Sequence, residues 1–390
     1  VQVPVAHEIR TATASGNFKF NILTVTNTAP TQFPSVTFSV TDPTNADAAY
    51  DINADAPFTQ CVLSGSDASR LSVDVAWSTT NYTNTGSGLT PGLPIQMNPL
   101  AGLNCGGVST DNGDGTFTVT SLVAIPATAV GSAAVAIEGH PALDADNDGI
   151  VDRIAVTNAI KYVTITDAAA VARRSVVNIT KCDDCHHQLS LHGNNRTDNP
   201  QVCVTCHNPN MTDVNRRANA VQDPPVPCQT DSVQEPIDFK RMIHKIHGSG
   251  EDGSGRVGVP VEICGFGNSA NVFEVLYPGR LRNCEGCHLA NTYYPVDGAK
   301  VLGTTVDVGF DLALPTDDVV YSPNTSVCSA CHFDAIAAQH MTQNGGDFLA
   351  TKAADSTLIS SGVETCQLCH GPGRIGDVKL MHEVGTFKFN

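Results

Sequence analysis

Five Cys-x-x-Cys-His motifs crowd the C-terminal half of this chain: Cys182/Cys185/His186, Cys203/Cys206/His207, Cys284/Cys287/His288, Cys328/Cys331/His332 and Cys366/Cys369/His370. A random chain with the same 14 Cys and 13 His in 390 residues would hold roughly 0.02 such motifs by chance. Each reads as a c-type haem attachment site, in which two thiols bond the porphyrin vinyl groups and the adjacent imidazole reaches the iron. Zinc is the competing reading. It requires four ligands converging from two separated pairs, whereas the pairs here are odd in number and each is followed at once by His. A segment carrying five haems needs little apolar core of its own, because the macrocycles fill the interior. The sequence from 166 to 390 accordingly reads as short helices around the motifs and loops rich in Gly, Asn and Pro, such as Pro224–Pro227 and Gly248–Gly258.

Residues 1–165 carry no such motif and read as a separate all-β domain. Val36, Phe38 and Val40 alternate with polar residues, as do Leu71, Val73, Val75 and Trp77, then Phe117 through Ile125, then Ala133, Val135 and Ile137. A period of two with turn residues between runs is the half-buried strand signature. Asp111-Asn112-Gly113-Asp114-Gly115 is a hairpin turn. Six or seven short strands of this kind imply a Greek-key sandwich or split barrel. The predicted organisation is therefore an all-β domain over 1–165, then a mostly irregular, short-helix pentahaem domain over 166–390.

Ten of the 14 cysteines belong to the motifs, which leaves Cys61, Cys105, Cys228 and Cys264. Four cysteines in an export-type chain allow two disulfides in three connectivities, and position favours Cys61 with Cys105 and Cys228 with Cys264. The chain opens Val1-Gln2-Val3-Pro4, the form expected of an exported protein whose signal peptide has been removed, without a Cys at position 1 to carry lipid. No apolar run reaches the roughly 18 residues of a membrane-spanning helix. With 22 Lys+Arg against 39 Asp+Glu and a net charge of −17, nucleic acid is excluded as a partner, since phosphate binding needs a basic footprint.

Asp144, Asp146, Asp148 and Asp152 form an Asp-x-Asp-x-Asp-Gly-x-x-Asp loop. Oxygen ligands at alternate positions around a glycine turn suit calcium, but Ala155 stands where an EF-hand has its Glu. An Asx-rich surface turn is the plain alternative.

The sixth ligand of each iron decides function: Met raises the potential, an open position permits catalysis, and a second His favours low-potential electron transfer. Eight His remain after the five proximal ones. His244 and His247 lie at i and i+3, on one face of a helix, and so would serve two different irons. Lys240, Arg241 and Lys245 beside them could neutralise propionates. His192 is placed to serve an iron other than that of His186, and His340 and His382 lie similarly downstream of the fourth and fifth motifs. His187 adjoins a proximal His and cannot easily reach any iron. His140 belongs to the β domain as a structural residue, and His7 is an N-terminal residue that could reach a neighbouring subunit. Met211, Met242, Met341 and Met381 are read as packing. Five proximal and five distal His then close every iron.

The run from Lys181 to Gly193, with Arg196 and Cys203 to Pro209, resembles the OmcA/MtrC family of outer-surface multihaem cytochromes. Phe239 to His247, the Cys328 motif with His340-Met341, and Cys366 to Arg374 with His382 carry the same resemblance. It spans about 181–390. The resemblance implies a five-haem domain with bis-His ligation that passes electrons from an outer-membrane conduit or partner cytochromes to extracellular acceptors such as metal oxides, flavins or quinone-like shuttles, at the outer surface or secreted. Members commonly carry two β modules and two five-haem modules with a lipid anchor, and this chain looks like half of that.

Two alternatives stand beside a non-enzymatic electron carrier. A multihaem oxyanion reductase would need one open-coordination haem and a basic funnel, and neither is evident. A homopolymeric haem filament is prompted by His7 and by the repeat of Phe18-Lys19-Phe20-Asn21 as Phe387-Lys388-Phe389-Asn390, which could pair at a subunit edge.

Overall fold

The computed structural model describes residues 12–61, 69–84, 92–102, 105–217, 228, 233–296, 300–354, 356–360 and 362–385. His7, Pro224–Pro227 and Phe387–Asn390 lie outside the described residues. The chain divides into two compact units: one covers the chain up to Arg174, apart from Gly88–Gly92, and takes in Ile179–Thr205, while the other holds Ser175–Asn178 and Cys206 onward.

The first unit is built on strands β1 (Lys19–Thr26), β2 (Ser35–Asp42), β3 (Ala48–Ala49), β4 (Arg70–Trp77), β5 (Ile95–Met97), β6 (Thr110–Asp111), β7 (Phe117–Thr120), β8 (Ser132–His140), β9 (Ala142–Leu143), β10 (Asp152–Arg153) and β11 (Ala159–Thr164). A five-stranded sheet runs β1-β2-β7-β6 with β3 on β2, and a four-stranded sheet runs β11-β8-β4-β5. All pairings are antiparallel. The alternating residues of the sequence are the cause. Phe20, Val36, Phe38, Val40, Phe117 and Val119 from one sheet join Leu71, Val73, Val75, Trp77, Ala133, Val135 and Ile137 from the other in a single apolar cluster.

β8 is buried along its whole length. Its odd residues enter the apolar core, and by the strand period its even residues, Ala134, Ala136 and Glu138, turn to the opposite face. The hairpin turn read at Asp111–Gly115 joins β6 to β7, with Asp111 opposite Phe117 and the Asn112 amide donating to Thr116 O at 3.1 Å.

The expected strand from Phe117 to Ile125 stops at Thr120. Ser121 Oγ donates to Val123 O at 2.7 Å and accepts from its amide at 2.9 Å, and this local turn leaves Leu122 94 % exposed. β1 and β11, outside the sequence reading, lie at edges of their sheets. Lys161 on β11 donates its ammonium to the carbonyls of Ile22 and Leu23 on β1.

Cys61 and Cys105 are disulfide-bonded, as are Cys228 and Cys264, the pairing that position favours. The first closes 44 residues, and chain entropy values such a loop at about 4 kcal/mol. Replacing both Cys61 and Cys105 with Ala is expected to lower unfolding stability on that scale. Urea unfolding with Trp77, the sole tryptophan, as reporter would check it; an unchanged midpoint would show the link to be idle.

The second unit holds no extended sheet among its described residues, only two-stranded ladders such as Val261–Cys264 with Ala270–Phe273 and Thr304–Asp307 with Val319–Tyr321. Short helices carry or follow the motifs. Helix α1 (Ile179–His186) belongs to the first unit, and α2 (Pro200–Cys206) ends at the boundary. In the second unit come α3 (Phe239–His247), α4 (Pro323–Cys328), α5 (Ala335–Gln343), α6 (Gln367–His370) and α7 (Val378–Met381). Architecture is thus mostly sheet and irregular chain with few short helices.

Candidate haem sites

Three imidazole pairs define the site geometry. His244 and His288 have ring centroids 6.0 Å apart, His332 and His382 6.0 Å, and His340 and His370 6.1 Å. Every pair joins a motif His to one of the His read as distal. Two imidazoles held on opposite sides of one metal, each nitrogen about 2 Å from it and each centroid about 1 Å further out, place their centroids about 6 Å apart. The pairs therefore have the spacing of bis-His ligation. The planes differ from pair to pair, 9° for His244–His288 against 66° and 86° for the others.

Local backbone sets the ring orientation. Nδ1 of His244, His247 and His382 bonds the carbonyl four residues back, Lys240, Ile243 and Val378. His207 and His370 use Ile237 O at 2.8 Å and Gly376 O at 2.9 Å. With Nδ1–H donating, Nε2 keeps its lone pair for a metal. Burial lowers the pKa of His244, with His247 and Arg241 adding to it; burial does the same for His332, with His382 and Arg256 adding. Both rings are thus biased toward the neutral form a metal requires.

The motif thiols report which motifs are neighbours. Burial pushes Cys203 up to about 12, with Glu138 and Cys182 adding and Arg196 opposing. It pushes Cys284 up to about 11, with Cys331 adding, and Cys328 up to about 12, with Cys366 and Glu364 adding. Cys182 is thus among the groups that Cys203 feels, Cys331 among those of Cys284, and Cys366 among those of Cys328. Large apolar side chains around the later motifs stay exposed, among them Leu276, Ile336, Leu368 and Leu380, surface that a flat apolar macrocycle would cover.

His192 opens the turn of the hairpin Ser190–Leu191 with Arg196–Thr197, at φ 56°, so the loop tip presents it. His187 takes φ 59° where α1 ends, its amide donating to Asp183 O at 2.8 Å. His140 is buried in β8 with its pKa lowered to about 4, by burial first and by Arg153 next. Met211 and Met242 are buried, while Met381 is exposed.

The basic residues of α3 are engaged within the protein. Lys240 pairs with Asp238, and Lys245 reaches both Glu235 oxygens at 2.5 and 2.7 Å. Arg241 donates to Ser326 O and Ser329 Oγ, both at 2.8 Å, and lies over the Tyr321 ring. These bonds anchor α3. Of the acidic loop, Asp144, Asp146 and Asp148 bring carboxylate oxygens within 4.8 Å of one another. Asp152 stands in β10 and accepts from the Ala145 amide at 3.3 Å. Asp144 already accepts from the amides of Asp148 and Gly149.

Glu364 is the feature that motif reading misses. It accepts five hydrogen bonds from Ser322, Asn324 and Thr325, and nothing in its sequence surroundings beyond its nearness to Cys366 marks it.

Comparison with known proteins follows the same line. The MtrC from Shewanella baltica OS185 superposes with a TM-score of 0.57 at 15 % identity, over 94 % of this chain and 54 % of that one. The outer membrane decaheme cytochrome OmcA superposes with a TM-score of 0.52 at 18 % identity, over 96 % and 50 %. At that identity the likeness is one of fold, and this chain spans about half the length of each. No curated protein matches. The model of the MtrC/MtrF-like outer membrane cytochromes, domains II/IV, matches residues 174–383, more than half of the chain, and the chain accordingly belongs to that family of outer membrane cytochromes.

Proposed function

We propose that the chain is an extracellular electron-transfer protein holding five covalent haems, each ligated by two His, behind an all-β module of split-barrel type. Domain limits near 165 and the closing of all five sites belong to this reading. What carries it is the set of three imidazole pairs at 6.0 to 6.1 Å, each with one partner from an attachment motif.

Cys182, Cys185, Cys203, Cys206, Cys284, Cys287, Cys328, Cys331, Cys366 and Cys369 hold the haems by thioether bonds. His186, His207, His288, His332 and His370 bind the irons proximally. His244, His382 and His340 bind distally in the third, fourth and fifth sites, and His192 and His247 supply the distal ligands of the first two. A haem ligated by two His supplies a one-electron couple at low potential with no position open to substrate. The protein fixes the ring orientation of His207, His244, His247, His370 and His382 through their Nδ1 carbonyl bonds and keeps neighbouring sites close. Electrons arrive from partner cytochromes or an outer-membrane conduit and leave to metal oxides, flavins or quinone-like shuttles at the outer surface. The described residues contain no helix long and apolar enough to cross a membrane.

The test is a pyridine haemochrome assay with intact mass, followed by CO titration of the reduced protein. Five haems per chain and an unchanged Soret band under CO are expected. A different count would overturn the five-site reading. A CO-shifted band would open one iron and favour an oxyanion reductase instead.

A further inference from the structure

Glu364 stands two residues before Cys366 and holds the start of the helix that ends in Cys328. Its Oε1 accepts from Ser322 Oγ at 2.7 Å, from the Thr325 amide at 2.8 Å and from Thr325 Oγ1 at 2.8 Å. Its Oε2 accepts from the Asn324 amide at 2.8 Å and from Asn324 Nδ2 at 2.7 Å. One carboxylate thus gathers two backbone amides and three side-chain donors from the segment that opens α4. The next residue bonds elsewhere: the Thr365 amide donates to Asn344 O at 2.9 Å, just past the end of α5. α4 ends in Cys328, the first residue of the fourth attachment motif, α5 carries His340, and Glu364 leads directly into the fifth motif. The carboxylate thus ties the start of α4 to the approach of the fifth motif, and the residue after it ties that approach to the end of α5.

Its charge is fixed as well as its place. These donors hold the Glu364 carboxyl below the usual range against its burial. Among the described residues no Lys or Arg is bonded to it. The negative charge is felt at both attachment points, since it raises the thiols of Cys328 and Cys366, and it is felt again at Tyr294 together with those two cysteines.

We propose that Glu364 is a positioning and potential-setting residue: it clasps the fourth motif to the fifth and, as a fixed negative charge between them, makes these two haems harder to reduce than they would otherwise be. The inference rests on the five-haem reading above. A negative charge in a medium of low polarity favours the ferric over the ferrous state, because reduction adds an electron beside it. The carboxylate acts through the electrostatic field and through the backbone it holds, and touches no ligand atom of the iron in the geometry above. The fourth and fifth sites are thereby readier electron donors than they would be without it.

The experiment compares the full-length haem-loaded protein with E364Q and T325V. Glutamine keeps the size and removes the charge. Valine keeps the size at 325 and removes one donor hydroxyl, leaving the carboxylate less neutralised. Spectroelectrochemical titration should show two of five couples moved upward in E364Q, by about tenfold in the reduction equilibrium or about 59 mV each, with the other three in place. T325V should move the same two couples downward by less. Opposite signs are the mark of charge; loosening of the fold would shift both variants alike. Couples that stay put in E364Q, or that move the same way in both variants, would overturn the proposal. Should E364Q fail to load five haems, T325V decides alone: a downward shift of two couples supports the proposal and an unchanged titration overturns it. Failure of the underlying reading is separately visible, as a wild-type haem count other than five.

Discussion

Replacing His244 with Ala is expected to turn one low-spin, CO-inert site into one that binds a single CO per chain when reduced. The ring of His244 stacks opposite that of His288 at 6.0 Å and 9°, and its Nδ1 is committed to Lys240 O. In the family reading the chain supplies one distal imidazole per iron, and alanine leaves that position to water or an added ligand. In that reading His288 and the thioethers of Cys284 and Cys287 would still hold the haem, so the pyridine haemochrome count should stay at five. His247 lies one turn further along α3 and has its own carbonyl bond to Ile243. If the two rings serve different irons, H247A should bind one CO as well and the double variant two. A double variant that takes up one CO would mean that both rings belong to a single site, and an inert H244A would remove His244 from the ligand set.

The stability of the β unit should fall as pH rises from 6.5 to 8, and E138Q should flatten that slope. Asp74 and Glu138 are both buried, near each other on adjacent strands, with Arg196 as the cation bonded to Glu138. Burial, with Asp74 adding and Arg196 opposing, raises Glu138 from the ordinary 4.5 to about 8. The folded form then binds this proton more tightly than the unfolded form does. Its contribution is fully present below pH 4.5 and is lost as pH climbs through about 8. A fully shifted group changes stability by about 1.4 kcal/mol per pH unit, so roughly 2 kcal/mol should disappear over that window. His140, two residues along the same strand, has the opposite sign. Lowered from 6.5 to about 4, it costs stability only as pH falls below 6.5, which is why the measurement starts there. Urea midpoints at pH 6.5, 7.2 and 8, followed by Trp77 emission on the haem-loaded protein, would decide; parallel slopes in wild type and E138Q would exclude Glu138 as the source.

What the sequence revealed depended on how local each signal was. The attachment motifs and the runs at Val36–Val40 and Leu71–Trp77 are contiguous, so their chemistry and period show directly. The break after Thr120 hinges on whether Ser121 turns its hydroxyl back on Val123, and the same Ser-x-Val letters could continue a strand. β11 reads ambiguously because its residues are all half-buried, a face shared between core and surface with no clean alternation. Which motif His meets which of the other His could not be read at all, since His382 and His332 are brought together by the folding of irregular chain. Glu364 was hidden for the same reason: a carboxylate becomes a clasp only when donors some 40 residues away fold onto it.

The carbonyl bonds from the helix to Nδ1 of His244, His247 and His382 have one more consequence. An imidazole tethered at its far nitrogen to its own helix cannot tilt or swing without breaking that tether. The cage around a metal held by one of these rings would then keep more of its shape as the charge at its centre changes. A carrier whose surroundings need not rearrange exchanges electrons with a small activation cost, so speed here would come from stiffness built at the level of a single helical turn.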